Sequence, residues 1–210
     1  QRRYLNKSIE INSMARNQDK AAHRWAHLAM IIASAIVMMF EIVAFHMLNY
    51  ISNYLMATSV ISVAMLGVAL GGIAAYFIST KQRECLLPYF ASGTGVLILV
   101  CAAYMVLFPR LLSYPVLLIL PFLGASGIVA FLFINLKVHK AYFSNLVGAT
   151  LGTVAICLLI PAVRSENALL LIVALCGALG VVISDKAGAR IFATVVLAVG
   201  LGCFGWNMLE

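Results

Sequence analysis

Long apolar runs alternate with short polar connections along the whole chain. Seven runs stand out, at residues 25–48, 54–79, 86–108, 112–136, 142–163, 167–184 and 189–207. A helix needs roughly 20 apolar residues to cross the hydrocarbon core of a bilayer. In lipid, every backbone N–H and C=O must be satisfied within the segment, which favours helices. The pattern therefore predicts an all-α polytopic membrane bundle of about seven transmembrane helices.

The composition excludes the common alternatives. Hydrophobic residues make up 64% of the 210 positions and charged residues only 10%, whereas a soluble domain carries about a quarter charged residues. Seven spans leave room for short loops and one tail, and none for a separate soluble domain. A lipid-spanning barrel would show segments of about ten alternating residues, and the runs here are continuously apolar instead.

The positive charges predict an orientation. Short loops rich in Lys and Arg stay on the cytoplasmic side. Twelve of the fourteen basic residues fall in the N-terminal tail or in alternate loops: Arg2, Arg3, Lys7, Arg16, Lys20, Arg24, Lys81, Arg83, Lys137, Lys140, Lys186 and Arg190. Only Arg110 and Arg164 fall on the other side. We expect a multi-pass protein of a bacterial inner membrane, with its N-terminus in the cytoplasm and its C-terminal end outside.

Two regions follow from this pattern: a basic cytoplasmic tail at residues 1–24 and a transmembrane helical domain at residues 25–210. The tail is either an amphipathic helix on anionic headgroups or a solvated juxtamembrane segment. Because the sequence starts with Gln1 and not with Met, we expect it to be part of a longer protein.

Several kinds of chemistry find no support. The net charge of +7 is explained by topology, so we expect no nucleic-acid partner. The five cysteines have no CxxC spacing, so neither a disulfide framework nor a zinc site is indicated. His23 and His27 lie four apart, yet only Asp19 could complete a metal site. We expect no metal and no cofactor, and no hydrolytic or kinase site appears. Whether the whole protein is an enzyme stays open.

An internal repeat is visible in two glycine motifs. Residues 66–74 (LGVALGGIA) resemble residues 147–155 (VGATLGTVA), with an offset of 81 positions. Three spans per copy would make the copies run in opposite senses, as in the inverted repeats of many transporters. Gly67 and Gly71, like Gly148 and Gly152, lie four apart on one helix face. This spacing predicts close helix packing more than solute binding.

Three polar residues form the candidate intramembrane site. Ionisable groups inside a span are costly and usually face the bundle interior, a partner or water. Glu41 and His46 are such groups, but five residues leave them about 140° apart around a helix axis, so they are not a preformed pair. Glu41 is the candidate cation or proton contact, His46 ranks below it, and Asn145, ahead of Gly148, is the third candidate. The alternative for Glu41 is a carboxyl that serves packing specificity alone.

Four motifs in order resemble a known family. Residues 40–46 (FEIVAFH), 65–72 (MLGVALGG), 120–125 (LPFLGA) and 142–152 (YFSNLVGATLG), with Pro161 beyond, resemble the membrane domain fused to bacterial spermidine synthase-like proteins. His46 stands where that family usually has Arg, and Asn145 where Asp is frequent. The family's soluble aminopropyltransferase domain is missing from residues 1–210, so we expect that any transferase activity would need sequence beyond Glu210.

Two functions follow as hypotheses. The first is a membrane module that binds or moves a small solute, such as a polyamine or another cation, or that anchors a soluble enzyme domain. The second is a non-catalytic transmembrane subunit that packs against other membrane subunits. The few polar residues available to line a pathway favour the second, whereas the intramembrane carboxyl and the apparent repeat favour the first.

Overall fold

The computed structural model describes residues 2–51, 54–78, 80–107, 114–184 and 186–209. Within these ranges the chain forms six helices and no strand: α1 (Arg2–Ile51), α2 (Tyr54–Phe77), α3 (Thr80–Leu107), α4 (Tyr114–Asn135), α5 (Val138–Ile183) and α6 (Ala187–Leu209). All six are long and apolar enough to cross a membrane. The predicted all-α polytopic bundle is confirmed.

Seven predicted runs correspond to six helices because α5 contains two of them. Its 46 residues would extend about 69 Å as a straight helix, about twice the hydrocarbon thickness. Arg164 interrupts the helix with φ 64° and ψ 156°, at the predicted connection between the fifth and sixth runs. We call residues 138–163 α5a and residues 165–183 α5b.

The packing contacts show that the chain reverses at this break. Gly148 and Gly152 of α5a lie against Ile31 and Ala35 of α1, so these two helices run parallel. In α5b, by contrast, Gly180 lies near the carbonyl of Pro88, at the beginning of α3. Because α3 starts on the membrane side where α1 starts, α5b returns to that side. The segments α5a and α5b therefore each cross the bundle.

The last helix runs antiparallel to α5b. Gly177 lies against Leu197, and the side chain of Asn207 donates a hydrogen bond to Asn167 Oδ1. We call the membrane side where the span of α1 begins the N-side, and the side where α6 ends the C-side. With α5a and α5b counted separately, the described ranges cross the bundle seven times, so these two sides are opposite. The backbone of residues 2–24 continues α1 as a helix, while the side chains of the predicted basic tail lie outside the described part.

Two parallel helix pairs form the front of the bundle. One pair is α1 with α5a, and the other is α2 with α4, in which Gly67 lies against Phe122 and Gly71 against Ser126. The pairs meet at a buried aromatic contact, where the rings of Phe40 and Phe122 are 4.9 Å apart between centroids. Helices α3, α5b and α6 form the back, with Gly95 of α3 against Cys176 of α5b.

Candidate functional site

A cavity lies where the two front pairs meet. Its volume is about 370 Å³, and it is lined by Ser34, Val37, Met38, Val68, Gly72, Ser126, Val129, Ala130, Phe133, Asn145 and Ala149. The lining residues fall between the middle of each helix and its N-side end. Toward the C-side of the lining residues, the buried pair of Phe40 and Phe122 packs α1 against α4.

The first polar wall joins α1 to α5a. The hydroxyl oxygen of Ser34 lies 2.7 Å from Asn145 Oδ1 and 2.8 Å from the carbonyl oxygen of Met30. A hydroxyl carries one proton and can donate only one of these bonds at a time. With the amide of Asn145 turned over, its NH₂ group donates to Ser34 while Ser34 donates to Met30, and both bonds form. The Asn145 side chain is half-buried and faces the cavity.

The second polar wall joins α4 to α2. The hydroxyl of Ser126 is buried and lies 3.2 Å from the carbonyl oxygen of Gly67 and 3.1 Å from that of Leu123. Each wall thus carries one serine that reaches across to the partner helix of its own pair. These hydroxyls, with the amide of Asn145, supply both donors and acceptors to a space otherwise lined by apolar groups.

The two serines occupy corresponding positions in a repeated sequence. Residues 33–37 read ASAIV and residues 125–129 read ASGIV, so Ser34 and Ser126 are 92 positions apart in matching motifs. The burial pattern shifts by the same number. Seven buried residues of α1 lie 92 positions before seven buried residues of α4. Those of α1 are Ala29, Met30, Ala33, Ser34, Ile36, Met39 and Phe40. Those of α4 are Pro121, Phe122, Ala125, Ser126, Ile128, Phe131 and Leu132. This motif is the sequence signal that would have predicted both serines.

Glu41 lies on the same face of α1 as Ser34, but outside the cavity lining. Seven residues correspond to about two helical turns, or roughly 10 Å along the axis toward the C-side. The Glu41 side chain is half-buried. Among the residues that the structure describes, none forms a hydrogen bond or ion pair with its carboxylate. The Glu41 carboxylate therefore lies within an apolar span, next to Phe40 in sequence, and has no hydrogen-bond or ion-pair partner among the described residues.

His46 lies further toward the C-side than Glu41 and Asn145. It is exposed near the C-side end of α1, and its Nδ1 lies 3.1 Å from the hydroxyl of Ser165, just after the break at Arg164. Glu41, His46 and Asn145 are therefore not brought together as one site. In the described ranges, no group of three His, Cys, Asp or Glu side chains could hold a metal ion. His27 instead contacts the hydroxyl of Ser144 at 2.9 Å.

The four predicted packing glycines lie at the two parallel contacts. A Cβ on Gly152 would lie 2.7 Å from the Cα of Ala35, and one on Gly71 would lie 2.7 Å from the carbonyl oxygen of Leu123. Gly148 lies as close to the backbone of Ile31, whereas a Cβ on Gly67 would first meet the side-chain Cβ of Phe122, with the carbonyl oxygen of Ile119 at 3.1 Å. Real Cβ atoms do not tolerate such approaches to backbone, so only glycine allows these helices to lie this close.

The fold and the cavity define a polytopic helical membrane protein with a small, mostly apolar cavity that carries three polar side chains between two glycine-packed helix pairs. Comparisons with protein-family models, with curated proteins and with solved structures found no match. The resemblance to the spermidine synthase-like membrane domain therefore stays a prediction from the sequence motifs.

Proposed function

We propose that this membrane protein binds a small polar solute in the cavity between α1, α2, α4 and α5a, and moves it across the bilayer. The observation that carries the proposal is the convergence of Ser34, Ser126 and Asn145 on one chamber of about 370 Å³. Ligand sites are typically 300–1,000 Å³, mostly apolar, and furnished with a few placed polar groups. Polar side chains within membrane helices commonly mark solute pathways.

The favoured solute class is a small organic cation with hydrogen-bonding groups. Hydroxyl and amide oxygens accept hydrogen bonds from ammonium groups, and Glu41 supplies a negative charge on the same face of α1. The resemblance to the spermidine synthase-like membrane domain points the same way, toward polyamines. The proposal includes a bacterial inner-membrane location with the N-side in the cytoplasm, which the distribution of basic residues supports.

Binding of putrescine to the detergent-purified protein tests this function. The substitution Asn145→Leu keeps a similar volume and removes the amide, so we expect affinity to fall about tenfold, as for one lost hydrogen bond of about 1.4 kcal/mol. Asn207→Leu is the matched control, because Asn207 is an exposed amide at the C-side end of α6. Equal affinities of the natural protein and the Asn145→Leu variant would remove the cavity from the proposal.

A transmembrane subunit of a larger complex is the second candidate. Gly202 and Gly205 of α6 have no neighbouring atom within 4 Å of a built Cβ, and small-residue faces let membrane helices approach closely. Purification in mild detergent separates the two functions. A stoichiometric assembly with other membrane proteins would favour the subunit, whereas an isolated protein that binds putrescine would favour the solute site.

A further inference from the structure

The cavity lies between two structurally equivalent halves. Glycines 81 positions apart make the same kind of contact. Gly67 and Gly71 let α2 pack closely against α4, and Gly148 and Gly152 let α5a pack closely against α1. The partner helices α4 and α1 match each other with an offset of 92 through the repeated Ala-Ser-x-Ile-Val motif. Both pairs are parallel, and they cross the membrane in opposite senses. The front of the bundle is therefore an inverted repeat.

Most of the cavity lining obeys this symmetry. Ser34, Val37 and Met38 of α1 have as repeat mates Ser126, Val129 and Ala130 of α4, and all six line the cavity. Val68 and Ala149, 81 apart, both line it as well. The shared part of the chamber is thus centred between the two halves.

Three lining residues break the symmetry, and all three lie on the N-side of the chamber. They are Phe133, Gly72 and Asn145, whose repeat mates are Glu41, Thr153 and Ala64 respectively. The mates do not line the cavity in this structure. The chamber is accordingly displaced toward the N-side, as in an inverted repeat whose two halves have different conformations.

We infer that the protein has a second state in which the two halves exchange conformations, so that the chamber extends toward the C-side and is lined by Glu41 and Thr153. This inference rests on the proposed function and deepens it. In an inverted repeat, the exchange of conformations converts a cavity displaced to one side into its counterpart on the other. Glu41, outside the present lining, then contacts the solute only in the C-side state.

The same exchange indicates which side chains close the chamber on each side of the membrane. Phe40 and Phe122 pack together on the C-side of the chamber here, and their repeat mates are Leu132 and Met30, both buried. In the second state the Phe40–Phe122 contact opens, and Met30 with Leu132 closes the N-side. The glycine contacts lie within each pair, so the exchange leaves them unchanged.

Cysteine accessibility in sealed membrane vesicles of both orientations tests the second state without any solute. Single cysteines are introduced as Gly72→Cys and Thr153→Cys, with Cys85, Cys157 and Cys203 replaced by alanine and the buried Cys101 and Cys176 retained. A charged, membrane-impermeant methanethiosulfonate is the probe. A Cβ on Gly72 meets nothing within 4 Å, so this substitution fits the structure.

We expect the Gly72→Cys variant to react from the N-side and the Thr153→Cys variant from the C-side. The second reaction should be about 10 to 1,000 times slower, because minor states are commonly populated at 0.1–10%. Adding Gly72→Trp fills the N-side part of the chamber and should abolish the reaction of Thr153→Cys. Gly205→Trp, at another glycine without neighbours, should leave the rate unchanged.

Thr150→Cys, on the exposed face of α5a, is the control for reaction through lipid and should stay unreactive. Glu41→Cys gives a second report from α1 if Thr153→Cys does not fold. Reaction of these two variants from the N-side, or from neither side, would overturn the inference even where putrescine binds. Reaction from the C-side without putrescine binding would support the second state and reject the proposed solute.

Discussion

At the scale of single residues, the site depends on hydrogen bonds between side chains that are far apart in sequence. Ser34 and Asn145 are separated by 111 positions and lie 2.7 Å apart across two parallel helices. Such bonds within membranes contribute about 0.6 kcal/mol on average and at most about 1.7 kcal/mol. Asn145 therefore orders the cavity wall at a modest gain in stability, and its polar atoms remain available at the chamber surface.

A double-mutant cycle measures this bond. We expect Ser34→Ala and Asn145→Ala to show a coupling of about 0.6 kcal/mol in the free energy of unfolding, measured by circular dichroism in mixed micelles with increasing SDS. The control cycle pairs Ser34→Ala with Thr150→Ala, because the Thr150 hydroxyl donates to the carbonyl oxygen of Leu146 in its own helix and, among the described residues, to no other helix. The same coupling in both cycles would show that the cavity bond has no particular role.

Residue-scale reasoning from sequence identified Asn145 but not the two serines. A serine in an apolar helix usually bonds to its own backbone and carries little sequence signal. Ser126 does so through Leu123, and only the fold shows that it also reaches Gly67 of α2. Glu41 and His46 were conspicuous by charge, yet charge alone did not show that the chamber lies nearer Ser34 than either of them.

At the scale of helices, the glycines determine which elements pair. Gly148→Ala should destabilise the protein by about 1–3 kcal/mol, because the added methyl group meets the backbone of Ile31 and the helices must separate. Gly205→Ala is the matched control, since its Cβ meets no atom within 4 Å. There we expect a gain of up to about 1 kcal/mol from helix propensity. Thermal unfolding in detergent compares the two, and equal shifts would contradict the packing role.

The reversal inside α5 gives a second prediction at this scale. Arg164 has a φ of 64°, a conformation that costs a residue with a Cβ about 1–3 kcal/mol. Arg164→Gly should therefore raise the free energy of unfolding by about 1 kcal/mol, after the greater freedom of glycine in the unfolded chain is subtracted.

Arg164→Ala separates backbone strain from charge, because it retains the Cβ and removes the guanidinium. We expect this variant to be no more stable than the natural protein. A gain in stability for Arg164→Ala equal to that for Arg164→Gly would assign the effect to the charge instead.

At the scale of the whole molecule, lipid makes much of the fold predictable. Apolar runs of sufficient length must become helices, so the number and limits of the crossings followed from sequence, including the connection at Arg164. The pairing of helices did not follow, because every helix surface is apolar and hydrophobicity does not select a neighbour in lipid. The glycine motifs marked close contacts, but their partners, α4 and α1, came only from the structure.

The membrane orientation is a prediction for the whole molecule. Lys140 and Glu166 are exposed: Lys140 lies near the N-side end of α5a, and Glu166 lies at the C-side beginning of α5b. If short basic loops remain in the cytoplasm, Lys140→Cys should react with an impermeant maleimide only in inside-out vesicles. Glu166→Cys should react only in right-side-out vesicles or intact spheroplasts.

Replacing Lys137 and Lys186 by glutamate tests the cause of the orientation, since fewer positive charges on the N-side should produce a mixture of both orientations. The reverse pattern in the single variants would place the N-side outside the cell and reverse the direction of the proposed exchange.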